Sequence, residues 1–330
     1  MVTEKDVQFF SEKSKKVLAE IGKDLVGQTQ VVEDAVIAMI AGGNVLLEGV
    51  PGVGKTRLVR SMGRVFNLPF SRIQFTPDLM PADVTGTNII EKDDQGRNKL
   101  VFQKGPIFSS IVLADEINRA TPKTQSALLE AMQEHTVTAG GQTYTLEEPF
   151  FVLATQNPIE QDGTYPLPEA QVDRFMLKLT MTFPTVKELG SIVTMTQKTL
   201  EETAEAVLSA EELLAMRETA RDIPVMDEVL EYAMRLVAAT HPELPDSPEF
   251  THKYIRFGAS PRAAQALITT AKVRALMQGR YNVSYEDINA LAFPVLRHRI
   301  KPSYDAVAER ISADELITRL LDAMGGKKKK

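Results

Sequence analysis

Cysteine and tryptophan are both absent from this chain of 330 residues. Without cysteine there is no disulfide, no thiolate nucleophile and no sulfur-ligated metal. Histidine is scarce as well: His135, His241, His252 and His298 are scattered without ligand spacing, so a structural metal is not expected. No run of roughly eighteen apolar residues occurs, and the N-terminal stretch MVTEKDVQFFSEKSKK lacks the apolar core of a signal peptide. A cytoplasmic protein is expected. Positive charge is also short. The 38 Lys and Arg against 44 Asp and Glu give a formal charge of −6, which disfavours nucleic-acid binding by the chain as a whole while leaving a local basic loop possible. The one basic run, Lys327 to Lys330, follows Gly325-Gly326 and reads as a solvated tail or an interaction tail.

Hydrophobic residues at 43% and charged residues at 25% are those of a globular protein, which excludes a fibrous or disordered chain. At this length roughly three-quarters of the unfolded surface can be buried, and two domains sharing a cleft are expected.

The chain is organised around Gly49 to Thr56, GVPGVGKT, after the apolar run Val45-Leu46-Leu47 and before a helical pattern from Arg57 to Phe66. Strand, glycine turn and helix start, in that order, make a phosphate cradle. Gly49, Gly52 and Gly54, interleaved with Pro51 and Val53, are expected to allow positive φ and to leave no Cβ in the way, so backbone N–H groups converge on phosphate oxygens at the positive end of the helix dipole. Lys55 adds a cation for the β- and γ-phosphates, Thr56 a hydroxyl for Mg²⁺, and Arg57 opens the helix. A chance match in a glycine loop is the plainer alternative, and the flanking strand and helix count against it.

Two helices are expected before the cradle, an amphipathic one over residues 4 to 21 and a second over Gln30 to Ala41 with Thr29 as its cap and Gly42-Gly43 closing it. After it come a strand from Phe70 to Phe75, the Pro-punctuated TPDLMPADVTG, and a hairpin over Thr87 to Phe102 turning at Asp93 to Gly96. Ile111 to Glu116 reads as a central parallel strand that delivers two carboxylates at its C-terminal edge. A helix over Lys123 to Glu134 follows, with Thr121 as cap and Pro122 at its first position, then a second hairpin over Thr136 to Tyr144 and buried strands over Phe150 to Thr155 and Phe175 to Thr182. From Pro184 helical periodicity takes over through six segments ending with Ser312 to Met324, where Ser312 and Glu315 fit a capping box; the one exception considered is Lys253 to Phe257. The expected fold is therefore α/β, a nucleotide-binding domain over residues 1–184 with two hairpin inserts, followed by an all-helical domain over 185–330.

About sixty residues beyond Lys55, Asp115 can hold a water of the Mg²⁺ shell, and Glu116 can orient and deprotonate the attacking water. A strand that merely ends in an acidic turn is the alternative. Asn157, after the strand FFVLATQ, would lie on a neighbouring strand edge, where its amide could fix the same water or sense the γ-phosphate.

The order of these residues resembles the AAA+ ATPases, and within them the MoxR family, over most of residues 20 to 300. The strings that carry the resemblance are GVPGVGKT, RIQFTPDLMPADVTG, FQKGPIFSSIVLADEINRA, QSALLEAMQE, FFVLATQNPIEQDGTYPLPEAQVDRF and GASPRA. The resemblance implies that Lys55 and Thr56 are the Walker A pair, Asp115 and Glu116 the Walker B pair, and Asn157 sensor 1. It implies that Arg174 in VDRF is an arginine finger offered to the neighbouring subunit, and Arg262 in GASPRA sensor 2 at the start of a lid helix. A planar guanidinium neutralises the charge spread in phosphoryl transfer, so these arginines suit the chemistry too. Arg119 competes for the finger role, and a salt-bridge role for both is the plainer reading. Val26, Gly27 and Gln28 resemble the segment that packs near adenine, with a helix-capping turn as the alternative, and Gln74 is a candidate restraint on Glu116.

The same resemblance implies ATP and Mg²⁺ as cofactors and a ring, expected as a homo-hexamer, whose two inserts face the pore, unless they are simple surface ribbons. It further implies chaperone-like remodelling or maturation of protein complexes with a separate partner that carries a von Willebrand factor A domain. Neither hairpin is conspicuously basic, the first holding Lys92, Arg97 and Lys99 against Glu91, Asp93 and Asp94, so nucleic acid is not the expected partner. The competing readings are a nucleic-acid motor, recognisable by DNA-stimulated turnover, a magnesium-chelatase-like motor subunit dependent on a tetrapyrrole-chelating complex, and a nucleotide-gated scaffold with negligible hydrolysis, which the intact Lys55, Glu116, Asn157 and Arg174 argue against.

Overall fold

A computed structural model describes residues 2–92, 94–157, 163–198 and 203–325. The lysine run, Asp93 of the first hairpin turn and the Pro158 end of the string after Asn157 lie outside the described residues.

Two helices come first, α1 (Glu4–Asp24) and α2 (Thr29–Ala41). A capping box of Thr3 and Asp6 starts α1. Thr29 does not cap α2. That position belongs to Gln28, whose side chain makes no cap bond and instead donates from Nε2 to Thr182 O at 2.9 Å. Gly42 ends α2 at φ 78°, as expected of a left-handed stop.

The α/β part contains β1 (Val45–Glu48), α3 (Lys55–Val65), β2 (Phe70–Gln74), α4 (Pro81–Thr85), the hairpin β3 (Gly86–Lys92) and β4 (Asn98–Lys104), and β5 (Ile111–Asp115). It continues with α5 (Pro122–Glu134), the hairpin β6 (Thr136–Ala139) and β7 (Gln142–Thr145), β8 (Phe151–Gln156), α6 (Glu169–Val172) and β9 (Leu177–Thr180). Five strands form one parallel sheet in the order β2-β5-β8-β1-β9. The apolar runs of β1, β5 and β8 are continuous because both faces are covered at the centre of the sheet. Val45, Leu47, Ile111, Leu113, Phe151 and Leu153 join one core, while Leu46, Val112, Ala114, Val152 and Ala154 join the other, as the two-residue period of a strand requires. Pro122 opens α5 as expected, whereas Thr121, although at the cap position, makes no side-chain cap bond.

The remainder runs through α7 (Val186–Lys198), α8 (Ala210–Asp222), α9 (Asp227–Ala238), α10 (Glu249–Tyr254), β10 (Ile255–Phe257), α11 (Pro261–Met277), α12 (Tyr285–Leu296), β11 (Lys301–Pro302), α13 (Tyr304–Ala308) and α14 (Ala313–Ala323). It is helical apart from the antiparallel ribbon of β10 and β11, which corrects the all-helical expectation. Ser312 caps α14 by accepting from Glu315 N at 3.1 Å, but the Glu315 carboxylate pairs with Arg319 at 2.6 Å, so only half of the expected capping box forms.

The core joins the two parts. Side chains of α1, α2 and α3, one face of the sheet, and α8, α9, α11, α12 and α14 belong to a single hydrophobic cluster, and α1 packs on both α3 and α11. The other face of the sheet is covered by α4 and α5.

Candidate functional site

The glycine turn after β1 leads into α3, an 11-residue helix whose cap, Gly54, lies at φ 99° and offers no side chain to the first-turn N–H groups. Those donors are left open to an anion. A Cβ at Gly54 would stand 2.9 Å from Leu25 Cδ1, so the glycine also lets the segment before α2 close over the cradle. Gly52 is left-handed as expected (φ 83°); Gly49 is not, and its reason for being glycine is proximity, because a Cβ there would lie 3.2 Å from Met181 O. Lys55 Nζ donates to Gly49 O at 2.7 Å, which bends the lysine back along its own loop.

At the neighbouring strand ends the two carboxylates are held differently. Asp115 is 7% exposed; its Oδ1 accepts from Thr155 Oγ1 at 2.7 Å and its Oδ2 from Arg72 Nη2 at 2.6 Å and Nε at 3.1 Å. Glu116 stands beyond the strand at φ 56°, its N–H bonded to Thr155 Oγ1 at 2.9 Å. Gln74 Nε2 donates to Glu116 Oε2 at 2.9 Å, which is the restraint the sequence suggested, and Arg119 Nε stands 3.1 Å from the same oxygen. Arg72 Nη2 also donates to Gln74 Oε1 at 2.8 Å, so one guanidinium links both carboxylates.

Asn157 follows β8 and is buried, lining a polar cavity of about 320 Å³ with Asn118, Gln156, Thr164 and His298. Val26 to Gln28 pass beside the connector out of β9, and the Glu188 carboxylate packs so closely on Gly27 that a Cβ would lie 2.6 Å from its Cδ. Arg174 is exposed, its Nη1 reaching Leu129 O at 3.4 Å. Arg262 occupies the first turn of α11, 3.4 Å from the Asp173 carboxylate. The structure thus gathers Gln74, Asp115 and Glu116 into one bonded group and brings Arg262 to Asp173, the residue before Arg174.

Sequence reasoning missed Arg72, Thr155 and Gln125. The first two are polar residues inside strand patterns. Gln125, fully buried in α5, donates from Nε2 to Ile117 O, Ala120 O and Tyr165 O, tying the turn after Glu116 to the chain beyond Asn157. Its only trace in the sequence is one amide on an apolar helix face.

The residues present suit Mg-nucleotide. The uncapped helix end suits phosphate, Thr56 offers an oxygen to Mg²⁺ and Asp115 a carboxylate for a water of its shell, with phosphate and water supplying the rest. Among the described residues, no three His, Asp or Glu side chains gather as a metal cage, and no helix is long and apolar enough to cross a membrane.

Comparison with known proteins decides the family. Residues 44–177 match the ATPase family associated with various cellular activities (AAA), and 249–320 match the AAA lid domain. Chaperone MoxR1 of Mycobacterium tuberculosis is 43% identical over 309 residues, covering 94% of this chain and 81% of that protein. The chain belongs to the MoxR family of AAA+ ATPases. Another member, Protein MoxR of Methylorubrum extorquens, is 30% identical over 313 residues, 89% of this chain and 90% of its own. A protein of Cytophaga hutchinsonii solved by crystallography superposes with a TM-score of 0.89 at 41% identity, covering 97% of this chain and 96% of that one. The MoxR architecture, an AAA core with a helical lid, accounts for both halves of the fold.

Proposed function

We propose that this MoxR-family protein hydrolyses ATP at a site completed by a neighbouring subunit in a ring, expected to be hexameric, and uses the cycle to remodel or mature protein complexes. The observation that carries the reading is the group at the end of β5: Asp115 is bonded on both oxygens, while Glu116 stands beyond the strand with its carboxylate on an amide and a guanidinium.

In this reading the N–H groups at the start of α3 and the Lys55 ammonium bind the β- and γ-phosphates. Thr56 and Asp115 would hold Mg²⁺, which when bound neutralises phosphate charge. Glu116 takes the proton of the attacking water once Gln74 releases it, and Asn157 orients that water. Arg262 leaves Asp173 for the phosphates of its own subunit. Arg174 serves the neighbour's site; Arg119 is already turned onto its own subunit's Glu116, which leaves Arg174 as the better finger.

A protein client fits the first insert. Ile90 and Leu100 face each other across its strands, 70% and 68% exposed, an apolar pair suited to polypeptide more than to phosphate. The chaperone name of the M. tuberculosis relative supports the same reading. The partner we expect carries a von Willebrand factor A domain.

Glu116→Gln tests both levels. It should bind ATP normally and lose on the order of 10² to 10⁴ in turnover, the usual weight of a general base. Unchanged phosphate release would remove Glu116 from that role. Loaded with ATP and used as bait in native lysate, the same variant should retain a protein with a metal-binding A-type domain. Recovery of nuclease-sensitive nucleic acid instead would favour a motor.

A further inference from the structure

One carboxylate holds two arginines of very different burial. Asp173 ends α6 immediately before Arg174 and accepts Ser260 Oγ at 3.0 and 2.9 Å on its two oxygens, Arg299 Nε at 2.8 Å and Arg262 Nη1 at 3.4 Å. Arg299, its side chain 2% exposed, spends its remaining donors close by: Nη1 on Val295 O (2.6 Å) and Met176 O (3.1 Å), Nη2 on Phe175 O (2.7 Å) and Asp173 O (3.2 Å). Arg262 makes one long contact from a side chain that is 48% exposed. Such a contact is screened by water and easily given up, whereas the Arg299 bonds are sheltered and mutually oriented.

The seam continues beyond the turn. His298 Nε2 donates to Phe175 O at 3.0 Å, and burial holds the ring pKa well below its ordinary value, which keeps the imidazole neutral. Arg297 Nη1 reaches Lys178 O and Thr180 Oγ1, both at 3.3 Å. Three consecutive residues after α12 therefore grip the backbone from Asp173 to Thr180, while Ser260 ties the same carboxylate to the start of α11.

We propose that Asp173 is a positioning residue that fastens the turn of Arg174, the arginine offered to the neighbouring subunit, to the lid of its own subunit, so that the lid sets how the finger is presented. The proposal rests on the reading of Arg174 and Arg262 given above. When Arg262 turns to the nucleotide it surrenders only the weak contact; Arg299 and Ser260 keep theirs, so the turn stays clamped between the lid and β9, which pairs with β1.

Mixed rings separate this from a general structural role. Arg174→Ala subunits keep their own site but lend no finger, and Lys55→Ala subunits lend a finger but cannot hold the triphosphate. A mixture of the two should hydrolyse ATP. Adding Asp173→Asn to the Lys55→Ala subunit changes nothing at a site already silent, so any loss reports on how Arg174 is presented. The expected loss is about ten-fold or more, since a displacement near 1 Å costs on the order of 10²-fold. Ser260→Ala in the same background removes one bond without stranding a charge and should lose less in the same direction; it decides alone if Asp173→Asn does not fold or assemble. Undiminished hydrolysis with assembled rings overturns the proposal. A parent mixture that assembles but never hydrolyses overturns the finger assignment, and the proposal with it.

Discussion

Asp115 and Asp173 each face an arginine, and the protein treats the two pairs differently. Arg72 on Asp115 is 45% exposed, shares its Nη2 with Gln74, and belongs to a chain of hydrogen bonds that ends on Glu116. Arg299 on Asp173 is almost wholly buried and engages four neighbouring backbone carbonyls. The first arrangement can be rearranged bond by bond as chemistry proceeds, and the second can only move as a block. A carboxylate–arginine pair says little about role until its burial and its remaining donors are known.

The strongest challenge to this contrast is to remove each arginine in turn. Arg299→Ala strands the Asp173 carboxylate and several carbonyls, and should cost about 3–5 kcal/mol in urea unfolding, the usual penalty for breaking a buried pair. Arg72→Ala also leaves a buried carboxylate with fewer partners, but that guanidinium is 45% exposed and water can take its place, so the cost should be smaller than for Arg299→Ala. Equal costs would erase the distinction.

Asp34 in α2 supplies a buried acid with no arginine hydrogen-bonded to it. Burial, with Glu33 alongside, raises its pKa to about 7 against the partial relief of a 3.0 Å bond from Gln30. A raised folded-state pKa means that the folded protein binds the proton more tightly than the unfolded chain does. This contribution is full below pH 4, falls as the pH rises towards 7, and is gone above it, a change of at most about 4 kcal/mol. Asp34→Asn should therefore stabilise the protein at pH 8, with the gain shrinking to little at pH 4. Melting curves of wild type and variant that stay parallel across that range would contradict it.

Gln74→Ala carries the smallest expected effect. Freed of its amide, Glu116 should raise basal ATP turnover by about two- to five-fold, a fraction of the 10² to 10⁴ carried by a general base, with no shift in melting temperature. A fall in turnover would mean that Gln74 assists Glu116 instead of restraining it.

What could be read in the sequence was what lies close along the chain. The cradle is legible because strand, glycines and helix are consecutive, and Glu116 because it follows an unbroken apolar run. The Asp173 seam is not, since Ser260 and Arg299 lie 87 and 126 residues away from their partner and nothing in local periodicity joins them. Thr155 hid for another reason: in a strand buried on both faces a threonine looks like any β-branched filler. Of the ribbon, β10 falls within Lys253 to Phe257, the one exception considered, while β11 was not legible because two residues set no period. Thr29 was misread as a cap because the rule for cap residues favours threonine, and tertiary contact with Thr182 placed Gln28 there instead.

The central claim is that one subunit's nucleotide is hydrolysed with an arginine from the next, and dilution of the unmodified protein tests it most directly. Phosphate release per subunit would be measured over a concentration series alongside sedimentation of the same samples. The account predicts that specific activity falls in step with dissociation to monomers. Activity per subunit that stays constant down to fully monomeric protein would contradict it.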